Sequence, residues 1–288
     1  MMTKSQRRTA RRIDLTAARA IFGKSFTNLV TWAQSSPKLA KPAEEGGRPI
    51  VAALIYLSPA NFSGYEVCGS RTKGCTAGCL AFAGHGGMGV VRDGTTITKT
   101  NACQVCRLRR TLMLFENQAL FMALLSEDIE KLIRDAAKVD GIPAFRPNGT
   151  SDLDWTTIPC PRNGRMFSSM FEAFPEVRFW DYTKVAKRMF AFLAGELPAN
   201  YTLIFSRAET LASKLTAMAV LKAGGNVAAV FATKKGRALP TEWNGHIVLD
   251  ADVHDFRFLD PRSAKGYVLG LRAKGDAKGD TSGFVIAV

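Results

Sequence analysis

The chain has 288 residues, 47% hydrophobic and 22% charged, which suits a sizeable folded core and excludes a disordered chain. Its formal net charge of +14 at neutral pH points to a polyanionic partner, with nucleic acid the expected one. No apolar run approaches the roughly 20 residues of a bilayer span, so no membrane segment is expected. The opening MMTKSQRRTARR holds neither an apolar stretch nor a small-residue cleavage site, so no secretory signal is expected and a reducing cytoplasm is the expected compartment.

In chain order, residues 1–48 read as a basic N-terminal arm and linker, and 49–288 as the catalytic domain. The arm carries Lys4, Arg7, Arg8, Arg11 and Arg12, a short helix within 13–32, and a polar Pro- and Gly-rich linker over 35–48. A second basic stretch runs from Lys184 to Arg237. Residues 50–57 (IVAALIYL) form an apolar run of strand length, followed by a Gly- and Cys-rich loop. Residues 103–125 have helical apolar spacing, and Ser126 is placed to cap a further helix to about 139. Strands are expected at 142–146, 177–180, 201–205, 226–231, 246–249, 266–271 and 283–288. Helices are expected at 166–174, 183–193 and 210–222, the last ending at Gly224-Gly225.

Strands apolar on both faces and separated by helices indicate parallel βαβ units. Their number fits an α/β fold built as a (β/α) barrel, regular or incomplete. A doubly wound open sheet is the alternative, disfavoured because no Gly-x-Gly-x-x-Gly follows a strand.

Both folds gather their sites at the C-terminal strand ends. Arg146 leads into Asn148, Ser151 and Asp152. Trp180 leads into Asp181, Tyr182 and Lys184. Phe205 leads into Ser206, Arg207 and Glu209, Phe231 into Lys234, and Leu249 into Asp250 and Asp252. Helix capping explains any one Asp, but it asks for no cation beside it. Carboxylates flanked by cations suit acid–base or nucleophilic chemistry on an anionic substrate. Asp152, Asp250 and Asp252 are the candidate catalytic carboxylates. Arg146, Asn148, Ser151, Asp181, Lys184, Ser206, Arg207 and Lys234 are candidate substrate contacts. Trp155, Trp180 and Tyr182 could stack a base, although core packing is the commoner fate.

Five of six cysteines fall between Cys68 and Cys106, as Cys68-x6-Cys75-x3-Cys79 and Cys103-x2-Cys106. In a reducing compartment such clustering favours a metal over disulfides. Zinc is expected, with an iron–sulfur cluster as the alternative. His85 is placed to complete a Cys3His zinc site, while three cysteines alone would leave an open position. Cys160, between two prolines, reads as structural.

The segments LSPANFSGYEVCGSRTKGCTAGCLAFAGHG, FRPNGTSDLDW, WDYTKVAKR and GLRAKGDAKGDTSGFVIAV resemble a group of phage-encoded proteins. Two enzyme classes are consistent with that resemblance. One is the phage relative of tRNA-guanine transglycosylase, which exchanges guanine in DNA for a 7-deazaguanine base. It implies a zinc-bearing barrel, a modified base as small-molecule partner, and an aspartate nucleophile with an aspartate partner, here Asp250 and Asp152 in either order. The sequence departs from that class in lacking its Cys-x-Cys-x-x-Cys spacing. The other is the radical S-adenosylmethionine class, which holds a [4Fe-4S] cluster on three cysteines after the first strand. The loop beyond IVAALIYL has that place but not the usual Cys-x3-Cys-x2-Cys spacing. The leading expectation is base exchange in a flipped nucleotide of DNA. A non-enzymatic DNA-binding or replication protein is the third reading, and its nicking version is disfavoured because the chain lacks a His-hydrophobe-His pair.

Overall fold

The computed structural model describes residues 4–23, 26–36, 39–93 and 96–288. The side chains of Lys4, Arg7, Arg8, Arg11 and Arg12 lie outside the described residues. Described strands are β1 (Thr31–Trp32), β2 (Glu44–Glu45), β3 (Arg48–Leu54), β4 (Val91–Asp93), β5 (Thr96–Lys99), β6 (Ile142–Arg146), β7 (Cys160–Arg162), β8 (Arg165–Phe167), β9 (Arg178–Thr183), β10 (Tyr201–Ser206), β11 (Val227–Phe231), β12 (Glu242–Trp243), β13 (His246–Asp250), β14 (Val268–Arg272) and β15 (Val285–Ile286). The α-helices are α1 (Lys4–Phe22), α2 (Lys73–Ala77), α3 (Ala102–Glu116), α4 (Gln118–Ala137), α5 (Met170–Ala173), α6 (Ala186–Leu193) and α7 (Leu211–Lys222). None of the described helices is long and apolar enough to cross a membrane.

Two compact units divide the chain, residues 1–67 with 102–179, and residues 68–101 with 180–288. In the first, β3 pairs in parallel with β6 (Ile50↔Ile142 to Leu54↔Arg146), and β6 with the start of β9. β3 buries Ala52, Ala53 and Leu54 almost completely, as expected for a strand covered on both faces. Its core centres on Phe145 and Phe171, both edge-on to Phe179, and on Trp155 stacked near Phe121. α3 and α4 are separate helices because Asn117 breaks the backbone and its side chain accepts the Leu120 N–H at 3.3 Å. Ser126, read as a cap, lies inside α4 and is buried.

In the second unit β10, β11, β14 and β13 are parallel neighbours, and β12 closes an antiparallel hairpin on β13. Ile204, Ala228, Ala251 and Leu269 form a core cluster there. Gly270 of β14 has no room for a Cβ, which would stand 2.7 Å from Val248 and 2.9 Å from Leu239. β11 pairs with β10 through Val227 and Ala228, and with β15 through Val230 and Phe231.

The barrel expectation is corrected. Among the described residues, eleven strands form one mainly parallel sheet whose path, β1-β3-β6-β9-β10-β11-β14-β13-β12, ends in two-residue antiparallel strands, with no closure found. β13 precedes β14 in the chain yet lies outside it, so the neighbour order a barrel needs is broken. Alternating apolar runs specify parallel βαβ units, but they say nothing about closure. Among the described residues, three tight turns with positive φ also make hairpins where loop or helix is expected. Gly46-Gly47 joins β2 to β3, Asn163-Gly164 joins β7 to β8, and Asn244-Gly245 joins β12 to β13, all with positive φ. The helix expected over 166–174 is thereby cut to α5.

Candidate functional site

The loop carrying Cys68, Cys75 and Cys79 belongs to the second unit. Thr72 caps α2, its hydroxyl accepting the Cys75 N–H at 3.2 Å and donating to Glu209 Oε2 at 2.7 Å. Glu209 Oε1 accepts the Gly74 N–H at 2.9 Å. One carboxylate, three residues beyond β10, thus grips the start of the helical turn that holds Cys75. The contact is close because residue 74 is glycine. A Cβ there would lie 2.4 Å from Ser282 Oγ and 2.9 Å from Glu209 Oε2. Burial opposes ionisation of Glu209, but the bonds from Thr72 and Gly74 prevail and hold its pKa below the ordinary value.

The other end of α2 is held by Arg92. Its guanidinium donates to the carbonyls of Thr76 and Ala77, pairs with Asp276 at 2.8 Å and covers the Phe82 ring at 4.4 Å. Cys68, Cys75 and Cys79 are each part-exposed, and His85 is exposed on a 3-10 turn after them. Among the described residues no three His, Cys, Asp or Glu side chains form a preassembled metal-binding group. Cys103 and Cys106 lie exposed on α3 in the first unit, and Cys160 is buried on β7, where burial pushes its thiol up to about 12.

Asp250, the last residue of β13, and Asp252 come together at the end of that strand. Arg272, at the end of β14, binds Asp250 bidentately, with Nη1 and Nη2 each 2.9 Å from one oxygen. It also donates from Nη1 to Asp252 at 3.1 Å, while Lys274 binds the other Asp252 oxygen at 2.6 Å. The Arg272 hydrogen bonds hold Asp250 below the ordinary carboxylate range. Burial raises Asp252, but Lys274 and Arg272 outweigh it and the net shift is downward. Both are therefore ionised at neutral pH, suited to a nucleophile or a charge partner and unsuited to a general acid. With folded pKa values depressed, their contribution to stability is present above about pH 4 and lost as pH falls through the folded values. Arg272→Ala should lower stability by about 1–2 kcal/mol at neutral pH and flatten the acid limb of a Tm–pH curve. An unchanged acid limb would show that the pairs do not form in solution.

The remaining candidates divide by unit. Asp181 is fully buried and accepts the Tyr201 hydroxyl at 3.1 Å. Lys184 donates to Ser206 Oγ at 2.7 Å, and Arg207 donates to the Gly283 and Phe284 carbonyls at 2.8 and 2.9 Å. Lys234 is exposed. In the first unit, Arg146 is buried at the end of β6, and the part-exposed Asp152 donates its N–H to the Val67 carbonyl. Asn148 is a buried hub whose Oδ1 accepts from Ser151 Oγ, Leu153 N–H and Trp155 Nε1, and whose Nδ2 donates to the Leu153 carbonyl. Trp155 is fully buried, so it is core rather than a stacking surface. In the sequence Glu209 stands out only as a strand-end residue. Its partner stands 137 positions away, and no local signal names it.

A mainly parallel α/β sheet with a cysteine loop clamped at a strand end defines the class of protein. The chain belongs to the Gene product 88 family, which it matches over residues 28–288. No curated protein matches it. Neither does any solved structure.

Proposed function

We propose that this protein is a nucleic-acid-modifying enzyme whose reaction centre is the loop of Cys68, Cys75 and Cys79, holding a [4Fe-4S] cluster that takes S-adenosylmethionine. The observation that carries this reading is the clamp of Glu209 on Thr72 and Gly74. It fixes the three-cysteine loop at the C-terminal end of β10, where parallel α/β folds build their sites. The three cysteines of the loop are not drawn together among the described residues; closed around a cluster they would leave a fourth position open, whereas a structural zinc site is closed by four ligands. When bound, such a cluster supplies an open iron for the cosubstrate and a source of one electron. The chain's part is to hold the loop through Glu209 and Arg92 and to attract a polyanion with its net charge of +14.

The test is product analysis of anaerobically purified protein given dithionite, S-adenosylmethionine and an oligonucleotide. Release of 5′-deoxyadenosine and methionine, abolished by Cys75→Ala, is the expected result. Absence of both from protein that carries the cluster would sink the reading.

A second reading is favoured by Asp250. Its side chain is 42% exposed and Arg272 holds it ionised, as base exchange by an aspartate nucleophile requires. Incorporation of labelled guanine into DNA, lost in Asp250→Asn, would select exchange of guanine for a 7-deazaguanine base instead.

A further inference from the structure

A basic face in the second unit is formed by α7 and the β12–β13 hairpin. Lys214, Met218 and Lys222 recur at i, i+4 and i+8 on α7, so they share one helix face. The hairpin turn meets that face at its middle, where Asn244 Nδ2 stands 3.7 Å from Met218 Sδ. Two depressions flank this contact. One, of about 410 Å³, is lined by Arg207, Lys214, Trp243 and Asp280, among others. The second, of about 440 Å³, is lined by Met218, Lys222, His246 and Lys265, among others. Among the described residues, no cysteine lines either one.

The lining chemistry is that of a phosphate and base binder. Arg207 is only 5% exposed, its Nε has no hydrogen-bond partner among the described residues, and its guanidinium stands 6.0 Å from the Trp243 ring centroid. Lys214, Lys222 and Lys265 are exposed. The acid among the lining residues, Asp280, already accepts from the Ser282 hydroxyl and from the N–H groups of Ser282, Gly283 and Val285. Lys214 and Lys222 are about 12 Å apart along the helix axis at 1.5 Å rise per residue. That spans three to four phosphates of a stacked strand at about 3.4 Å each.

We infer that this face is a track for single-stranded nucleic acid, with Trp243 stacking a base and Lys214, Lys222 and Lys265 meeting successive phosphates. A single strand fits because stacking on Trp243 needs an open base face, which a duplex does not offer. The inference deepens the nucleic-acid reading above and rests on it, but it concerns residues outside the cysteine loop.

The test is fluorescence anisotropy with labelled oligo-dT, oligo-rU and a DNA duplex, on the full chain, Trp243→Leu and the double variant Lys214→Glu/Lys222→Glu. Circular dichroism and melting establish that the variants fold. Binding of either single strand more tightly than the duplex is expected, and the tighter strand names the polymer. Trp243→Leu should weaken that binding about tenfold. The double variant should weaken it further and reduce the log–log salt slope by about 1.4, since each phosphate left without its lysine lowers the slope by about 0.7. No oligonucleotide binding by the full chain, duplex binding as tight as single-strand binding, or unaltered affinity in either folded variant overturns the track. Iron content of the same preparations reports the cluster reading separately, since neither variant touches the cysteine loop.

Discussion

Glu209→Ala is expected to loosen the cysteine loop more than any other single change outside the cysteines. It removes the acceptor of the Thr72 hydroxyl and of the Gly74 N–H, and it leaves the cap of α2 without its anchor. Hydrogen bonds to a charged group contribute about 1.5–3 kcal/mol each, so local stability should fall by about 3 kcal/mol or more. Glu209→Gln keeps one acceptor oxygen but turns an amide N–H2 towards the other donor, so an intermediate loss is expected. Labelling rates of Cys68, Cys75 and Cys79 with a thiol reagent measure this without any metal. They should rise in the order wild type, Gln, Ala. The pH dependence has a fixed sign. Glu209 has a depressed folded pKa, so its hold is complete above the ordinary glutamate value and is lost as pH falls through the folded one. Labelling rates that are equal in all three proteins would show that Glu209 does not hold the loop.

Asn148→Ala should be the most damaging change in the first unit. Asn148 is 2% exposed, and its amide answers the Trp155 indole N–H and both the N–H and the carbonyl of Leu153. Truncation removes the partner of the buried Trp155 indole N–H and of the part-buried Leu153 groups, at about 1–3 kcal/mol for each one left unsatisfied. A loss of about 3–4 kcal/mol follows, or roughly 6–16 °C in Tm. Ser151→Ala removes one of the bonds to Asn148 from a part-exposed position and should cost less than about 1 kcal/mol. Equal melting curves for the two variants would contradict the hub. From sequence, Asn148 is expected among the substrate contacts. Its side chain is engaged in shaping the turn that carries Asp152.

Strand positions were legible because β3, β6, β10, β11 and β14 are apolar runs buried on both faces, a pattern that survives without knowledge of neighbours. Their order was not. β13 and β14 have similar lengths and compositions, and nothing local says that the later one pairs with β11. The β12–β13 and β7–β8 hairpins did carry a signal, since Asn-Gly between short apolar pieces favours a tight turn with both φ values positive. Weighing that dipeptide would have placed Trp243 on a strand beside His246. The cysteine pattern announced a loop with a special role, but its anchors, Glu209 and Asp276, are 135 and 184 positions from Gly74 and Arg92. Contacts of that range are set by the sheet, not by spacing. Likewise Asp250 and Asp252 were legible as carboxylates at a strand end, while the pairing that commits them to Arg272 was not.

The most direct measurement is iron, sulfide and zinc content, with a visible spectrum, on wild type and Cys75→Ala purified without oxygen. A brown wild-type protein with about four irons per chain, lost in Cys75→Ala, is the predicted result. A colourless protein with one zinc per chain would contradict it and make the aspartate-based exchange the working account.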